Sequence, residues 1–346
     1  MPLDTTMEDV ARRAGVHRST VSLALRNSPK IRPAVRTRIQ QLAQEMGYRQ
    51  NPLVATLMRA RRTGQAVKHV SLAYITNYPT RYGWRPQHHD RPDFFPGALE
   101  RAEELGYKLE HFWLAEPGMS PARMSDILSR RAITGVLIGR LPPGQSELEL
   151  CWERFSAVAL GYTLKSPALH HVAEDPFTDL TQIIEQSLAR GYRRPGFVVA
   201  DMDDSPRWGD RLHGAFLRQQ YRLPAKDRLP TCEYEPGPQF RNNFLDWLKR
   251  WQPDVVVSTR GQPIYNWLCA AGYAVPGDIG MATMINDHLE HGISGIYNDP
   301  RSLGALATEM VIGMLHRSET GRPAEPHFVL SPGTWFEAGT LRSPSP

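Results

Sequence analysis

Near the N-terminus the apolar residues recur at helical spacing, and three short helices follow from that pattern. Val10, Ala11 and Ala14 form a stripe behind Thr6-Met7-Glu8-Asp9, which has the S/T-x-x-D/E form of a helix start, and Gly15 stops the helix after about eight residues. From Arg18 to Leu25, Val21 and Leu25 stand one turn apart; both are expected to face the first helix, while Arg18, Ser19 and Ser22 face out. A third helix is expected from Pro33, with Val35, Ile39, Leu42 and Met46 spaced 4, 3 and 4 apart and Gly47 at its end. Three helices around one small core leave the second exposed, which is the plan of a helix-turn-helix. Asn51 and Pro52 then read as the N-cap and first residue of a fourth helix, marginal when isolated, that runs to about Ala60 and into the basic cluster Arg59, Arg61 and Arg62.

Past Gly64 to Lys68 the pattern changes to short apolar runs alternating with amphipathic stretches. Val70 to Ile75, Leu109 to Leu114, Val136 to Ile138 and Ala157 to Leu160 read as buried parallel strands, with helices near Gly97 to Leu105, Pro121 to Arg131 and Gln145 to Arg154. Gly196 to Ala200, Cys232 to Tyr234, Val255 to Ser258 and Gly280 to Met284 repeat the plan, separated by helices near Leu212 to Gln220, Phe240 to Trp251 and Ile264 to Ala271. A helix near Leu303 to Arg317 and a strand from His327 to Leu330 close the chain. Two doubly wound α/β lobes are expected, enclosing a ligand at the C-terminal ends of their strands. The division is then a headpiece over 1–50, a short helix and linker over 51–68, and a two-lobed body over 69–346.

Charge sharpens this division. The 346 residues carry a net +5, but Met1 to Gln65 hold 12 Lys and Arg against 4 Asp and Glu, a balance of +8, and the rest hold 29 against 32, a balance of −3. A basic module that meets a polyanion, joined to a near-neutral body, fits this asymmetry; charge alone fits a merely solvated basic face as well. Cys151, Cys232 and Cys269 are scattered and lack C-x-x-C spacing, which points to reduced thiols rather than disulfides or a zinc site. No run approaches the roughly 18 apolar residues of a membrane span, and the first dozen residues lack the form of a secretory signal, so the cytoplasm is the expected location. The usual nucleotide, hydrolase and metalloprotease signatures are missing from the sequence, so no enzyme activity, cofactor or metal is expected. His88-His89-Asp90 and His288-x-x-His291 lack further ligands at metal-site spacing. Trp84, Trp113, Trp208, Trp247 and Trp251 suit a stacking pocket, though a core or interface is the commoner place for that residue.

The run Met7 to Ser22, with D-V-A-x-x-A-G-V-x-x-x-T-V-S, followed by Thr37-Arg38-Ile39 and Gly47-Tyr48-Arg49-Gln50-Asn51-Pro52, resembles the headpiece of the lac repressor (LacI/GalR) family of bacterial transcription regulators. The resemblance implies that Arg18 and Ser19 open the recognition helix and read bases with Leu23, while Thr6, Thr20 and Ser22 hold phosphates. Arg18 suits a bidentate contact with guanine. His17 stands where the family usually has Ser or Thr, so the side-chain cap of that helix is weaker or is made by imidazole. Leu23 replaces a frequent Arg and is limited to apolar contacts such as one to a thymine methyl. By the same resemblance, Asn51 to about Ala60 is the hinge helix, which orders on operator DNA and pairs with its dimer mate. Leu57 matches the leucine that wedges into the minor groove, and Val54 stands where the family favours alanine. Packing of Leu53, Leu57 and Met58 onto the body is the alternative.

The body resembles the periplasmic-binding-protein-like (type I) effector domain of the same family. Tyr78, Phe94, Phe95 and Asp201 lie where strand ends are expected, and Asp175 matches a V-x-x-D/N position at the rim or floor of the pocket. Arg211, in Arg211-Leu212-His213-Gly214 before Ala215-Phe216, matches the family's R-L-x-G-F arginine that grips a polar effector group, with one extra residue ahead of the Phe. Where relatives carry a sugar-binding aspartate, this chain has Ile285 and Asn286; Asn286 can still bond a hydroxyl. The long segment Asn77 to Pro92 is either a lid or an ordinary insertion. The function expected is a dimeric repressor that binds palindromic double-stranded operator DNA under control of a small molecule, a sugar or related metabolite. A solute sensor without direct operator control is the alternative from another class.

Overall fold

The computed structural model describes residues 6–25, 28, 30–46, 48, 70–85, 93–200, 206–234, 239–284 and 292–343. The chain divides into two compact units, Met1–Val70 with Gly313–Glu319, and Ser71–Ile312 with Thr320–Pro346.

In the first unit, α1 (Met7–Ala14) starts on a reciprocal capping box. Thr6 Oγ1 accepts from the Asp9 N–H at 3.3 Å, and the Asp9 carboxylate accepts from the Thr6 N–H at 3.0 Å. The helix ends at Gly15 in the left-handed region, φ +67°, where a side chain would strain the backbone. Helices α2 (Arg18–Leu25) and α3 (Pro33–Glu45) complete the bundle. Its core is Val10, Ala11, Val21, Ala24, Ile39 and Ala43, with Leu25 and Met46 packed around it. Of the residues that spacing places inside, Val10, Ala11, Val21 and Ile39 are buried at the centre, and Ala24 and Ala43 join them there. Arg38 Nη2 and Gln40 Nε2, both on α3, donate to the carbonyls of Ala14 and Ala24 at 2.9 Å, satisfying oxygens that the ends of α1 and α2 leave open.

The second unit holds two six-stranded sheets. The first contains β1 (Val70–Thr76), β2 (Tyr107–Trp113), β3 (Gly135–Ile138), β4 (Ser156–Leu160), β5 (His170–Glu174) and β11 (Phe328–Ser331), in the order β11-β5-β4-β3-β1-β2. The second contains β6 (Pro195–Ala200), β7 (Cys232–Tyr234), β8 (Val255–Ser258), β9 (Gly280–Thr283), β10 (Gly295–Tyr297) and β12 (Thr334–Phe336), in the order β12-β10-β9-β8-β6-β7. Parallel registers such as Ala73↔Val136 and Val256↔Met281 run through the centres of both sheets. The edge pair β10–β12 is antiparallel. Helices α4 (Phe95–Glu104) and α5 (Pro121–Arg130) belong to the first lobe. Helices α6 (Pro176–Ala189), α7 (Pro206–Arg222), α8 (Phe240–Trp251) and α9 (Gly261–Ala270) belong to the second. The start of α10 (Pro300–His316) returns to the first lobe and packs on α4 so closely that a Cβ on Gly304 would lie 2.0 Å from the Phe94 carbonyl oxygen. The chain therefore passes between the lobes three times: after β5, after β10, and between β11 and β12.

One expected element is corrected. Gln145 to Arg154 is not a helix: Leu148 and Leu150 are buried while Glu147 and Glu149 are exposed, a two-residue alternation that suits extended chain. Leu148 N–H donates to the Ser166 carbonyl at 3.0 Å, and only Trp152–Arg154 makes a turn of 3-10 helix. Strand β5 also lies outside the strands expected from the apolar runs, because its buried positions include two histidines and a glutamate. His171 is housed by a bond between Nδ1 and the Gly161 carbonyl at 3.0 Å and by stacking on Phe328 at 4.3 Å. Burial pushes its pKa down to about 4, so the ring is neutral.

Candidate functional site

The exposed face of the first unit is organised by His17. Its Nδ1 accepts from the Ser19 N–H at 3.3 Å and lies 2.8 Å from Ser19 Oγ, so the imidazole occupies the place of the usual hydroxyl or carboxamide cap. Arg18 and Ser19 follow on the exposed first turn of α2, with Thr20, Ser22 and Leu23 half-buried beside them. The opposite face is anchored by Val21 and Ala24 in the core. Thr6 stands exposed at the start of α1, and its hydroxyl also donates to Asp9 at 2.6 Å. That contact and the Thr6 N–H hold the Asp9 carboxyl below its ordinary pKa. Asn51, Val54 and Leu57 lie outside the described residues.

In the second unit a cleft opens at the C-terminal ends of β1 and β3. Tyr74 and Thr76 come from β1, Tyr78 and Trp84 from the loop that follows, Asp93 and Phe94 from the approach to α4, and Arg140 from just beyond β3. Behind this lining, Trp84 packs on Tyr74 at 5.4 Å and on His111 at 5.0 Å, and Phe95 meets Tyr74 edge-on at 5.2 Å. His111 Nε2 lies 2.8 Å from Thr76 Oγ1; burial, then Arg81 and Arg85, push its pKa down to about 4. Each Asp93 oxygen holds a hydrogen bond, Oδ2 accepting from Arg85 at 2.7 Å and Oδ1 from the Phe95 N–H at 3.1 Å. Burial drives the Tyr74 pKa above its ordinary value, so the phenol keeps its proton as a donor.

The cleft brings together two of the residues expected there, Tyr78 and Phe94, with Phe95 one layer behind. Asp175 instead caps α6, accepting from the Thr178 N–H at 3.2 Å and hydroxyl at 2.7 Å. Arg211 is outside this lining: its guanidinium stacks over Tyr162 at 5.0 Å and Phe328 at 5.8 Å. Asp201 and Asn286 lie outside the described residues, as do the histidines at 88, 89, 288 and 291. The lining also includes Tyr74, Thr76, Asp93 and Arg140, which the sequence analysis does not single out. Arg140 could have been found by the strand-end rule that selected Tyr78, since it stands two residues beyond β3; Asp93 carries no such signal.

Comparison with known proteins bears on both units. Residues 6–51 match the model for bacterial regulatory proteins of the lacI family, and residues 184–339 match that of a periplasmic binding protein-like domain. The HTH-type transcriptional regulator RegA of Clostridium saccharobutylicum is 23% identical over 341 residues, covering 94% of this chain and 96% of its own. The chain belongs to the lacI family. It is a DNA-binding transcriptional regulator of that family, with a helix-turn-helix headpiece and a periplasmic-binding-protein-like body. A second regulator, IpsA of Corynebacterium glutamicum, is 22% identical over 227 residues, covering 65% of this chain and 60% of its own. Among solved structures, the lac repressor dimer bound to operator and the anti-inducer ONPF shares the fold with a TM-score of 0.56 at 13% identity, covering 99% of this chain and 100% of that one. The complex of the regulator CelR with cellobiose does so with a TM-score of 0.53 at 16% identity, covering 97% and 99%.

In this lacI-family chain the lobes are held to each other by two polar clamps. Arg207, on α7, donates through Nη2 to the Tyr162 carbonyl at 2.6 Å and to the Leu164 carbonyl, both in the first lobe. Asp179, on α6 and 1% exposed, accepts from Asn298 Nδ2 at 2.8 Å and from the Gly333 N–H at 2.7 Å. One carboxylate thus joins the three places where the chain passes between lobes. Burial, partly offset by these two bonds, raises the Asp179 pKa to about 6.

Proposed function

We propose that this regulator binds a palindromic operator as a homodimer, acts as a repressor, and responds to a small molecule bound between its two lobes. Residues 1–50 would read the DNA, 51–68 would form the hinge helix and linker, and 69–346 would bind the effector and dimerise. The observation that carries the reading is α2, whose inner face is fixed in the core while a His17 cap presents Arg18 and Ser19 outward. On this reading Arg18, Ser19 and Leu23 meet base edges, Thr6, Thr20 and Ser22 meet phosphates, and Asn51, Val54 and Leu57 serve the minor groove. Tyr78 and Phe94 line the effector site. The protein works in the cytoplasm beside its DNA and turns nothing over; among the described residues no helix is long and apolar enough to cross a membrane.

Selection of binding sites from random duplexes tests the proposal. A two-fold symmetric consensus is expected, and Arg18→Ala should relax it at one base pair per half-site at a cost of about 1–3 kcal/mol. Indifference between the selected site and random duplex would overturn the regulator reading, and an equal loss by the variant on all sequences would make Arg18 a phosphate contact.

A further inference from the structure

The cleft beside β1 is chemically one-sided. Its carboxylate, Asp93, has both oxygens taken, by Arg85 and by the Phe95 N–H. Its phenol at Tyr74 is a donor, and His111 behind the wall is neutral. Arg140 stands apart from this balance. Its Nε is sealed from solvent with no hydrogen-bond partner, and among the described residues it has no ion pair. The guanidinium lies 5.8 Å from the centre of the Phe94 ring on one side and against Gly161 on the other, where a Cβ would come within 3.4 Å of Nε.

Arg85 and Asp93 cancel, so among the described residues Arg140 leaves one uncompensated positive charge on the wall. A planar guanidinium fits two oxygens of a carboxylate or phosphate at once, and such charge-assisted pairs are the stronger hydrogen bonds. A neutral polyol would leave the charge unmatched in a site already partly closed to water.

We propose that the effector is an anion, a small metabolite whose carboxylate or phosphate is held by Arg140 with Tyr74 donating beside it. This rests on the reading of the cleft as the effector site of the regulator. It excludes neutral sugars as the preferred ligand.

Thermal unfolding and calorimetric titration of the full-length protein with matched pairs test it: glucose against gluconate and glucose 6-phosphate, galactose against galacturonate, and inosine against inosine 5′-monophosphate. The expected result is that an anionic member raises the melting temperature by several degrees while its neutral partner does not. Arg140→Gln should weaken that binding by roughly tenfold or more, and Arg140→Lys, which keeps the charge but loses the fork, by less. The carboxylate and phosphate arms show which anion is preferred. A panel in which no anion exceeds its neutral partner overturns the proposal, as does anion binding that both variants retain in full. Operator binding by the same preparations without ligand separates the two claims: its loss would count against the regulator reading, whereas a failed panel with intact operator binding would count against the anion alone.

Discussion

A single side chain decides how the reading helix begins. With Ser or Thr at position 17 a hydroxyl would cap α2; here the acceptor is an imidazole nitrogen 3.3 Å from the Ser19 N–H. His17→Ala should cost about 1 kcal/mol of local stability, and His17→Ser should restore it. Amide exchange of the full-length protein measures this: faster exchange across Arg18–Leu25 in the alanine variant and recovery in the serine variant are expected, and unchanged exchange in both would show that the cap carries no weight. The substitution was visible in the sequence as a departure from a pattern. The sequence left two outcomes, a weaker cap or one made by imidazole, and the choice between them depends on a rotamer that only the structure gives.

Between elements, the work is done by polar groups whose partners are remote in the chain. Arg207 lies 45 residues from Tyr162, and its bonds reach only carbonyl oxygens, which no residue pattern advertises. Burial disfavours its charge and pulls its pKa down, as expected for a cation held by backbone dipoles rather than by a carboxylate. Arg207→Ala should cost about 2–3 kcal/mol in urea unfolding by leaving the Tyr162 and Leu164 carbonyls unpaired. Arg207→Lys should recover only part, since an ammonium lacks the fork; full recovery would mean that charge alone, not the two-carbonyl geometry, holds the lobes. The loss of the expected helix at Gln145 to Arg154 belongs to the same scale. Its composition is compatible with either form, and the neighbouring strand layer selected the one that buries Leu148 and Leu150 together.

For the whole molecule, pH acts on the body through groups of opposite sense. His111 and His171 have folded pKa values near 4, below the ordinary 6.5, so the stability they allow is lost as pH falls through that window. Asp179, raised from 3.8 to about 6, works the other way: its protonated form is favoured in the fold, and stability falls as pH rises from about 4 to 6. Asp179→Asn removes the opposing contribution. The unfolding free energy of the variant relative to the native chain should therefore shift in its favour between pH 4 and 7, by as much as about 3 kcal/mol. Denaturant melts at a series of pH values check this, and a difference independent of pH would show that Asp179 titrates normally in the fold.

What the sequence determined by itself is whatever repeats locally. The 3.6-residue spacing and caps of the headpiece, the apolar strand cores and the confinement of positive charge to the first fifth of the chain can all be read without coordinates, and the D-V-A-x-x-A-G-V run ties them to one family. Tertiary structure alone decided that Ala24 and Ala43 join Ala11 in the headpiece core, that histidines 170 and 171 belong to a buried strand, and that Asp179 gathers the three passages between lobes. It also decided that Asp93 pairs with Arg85 while Arg140, among the described residues, has no carboxylate partner in the cleft. The reason is physical: backbone periodicity is set by near neighbours, whereas the pairing of a buried charge is set by groups that the fold brings together from anywhere in the chain.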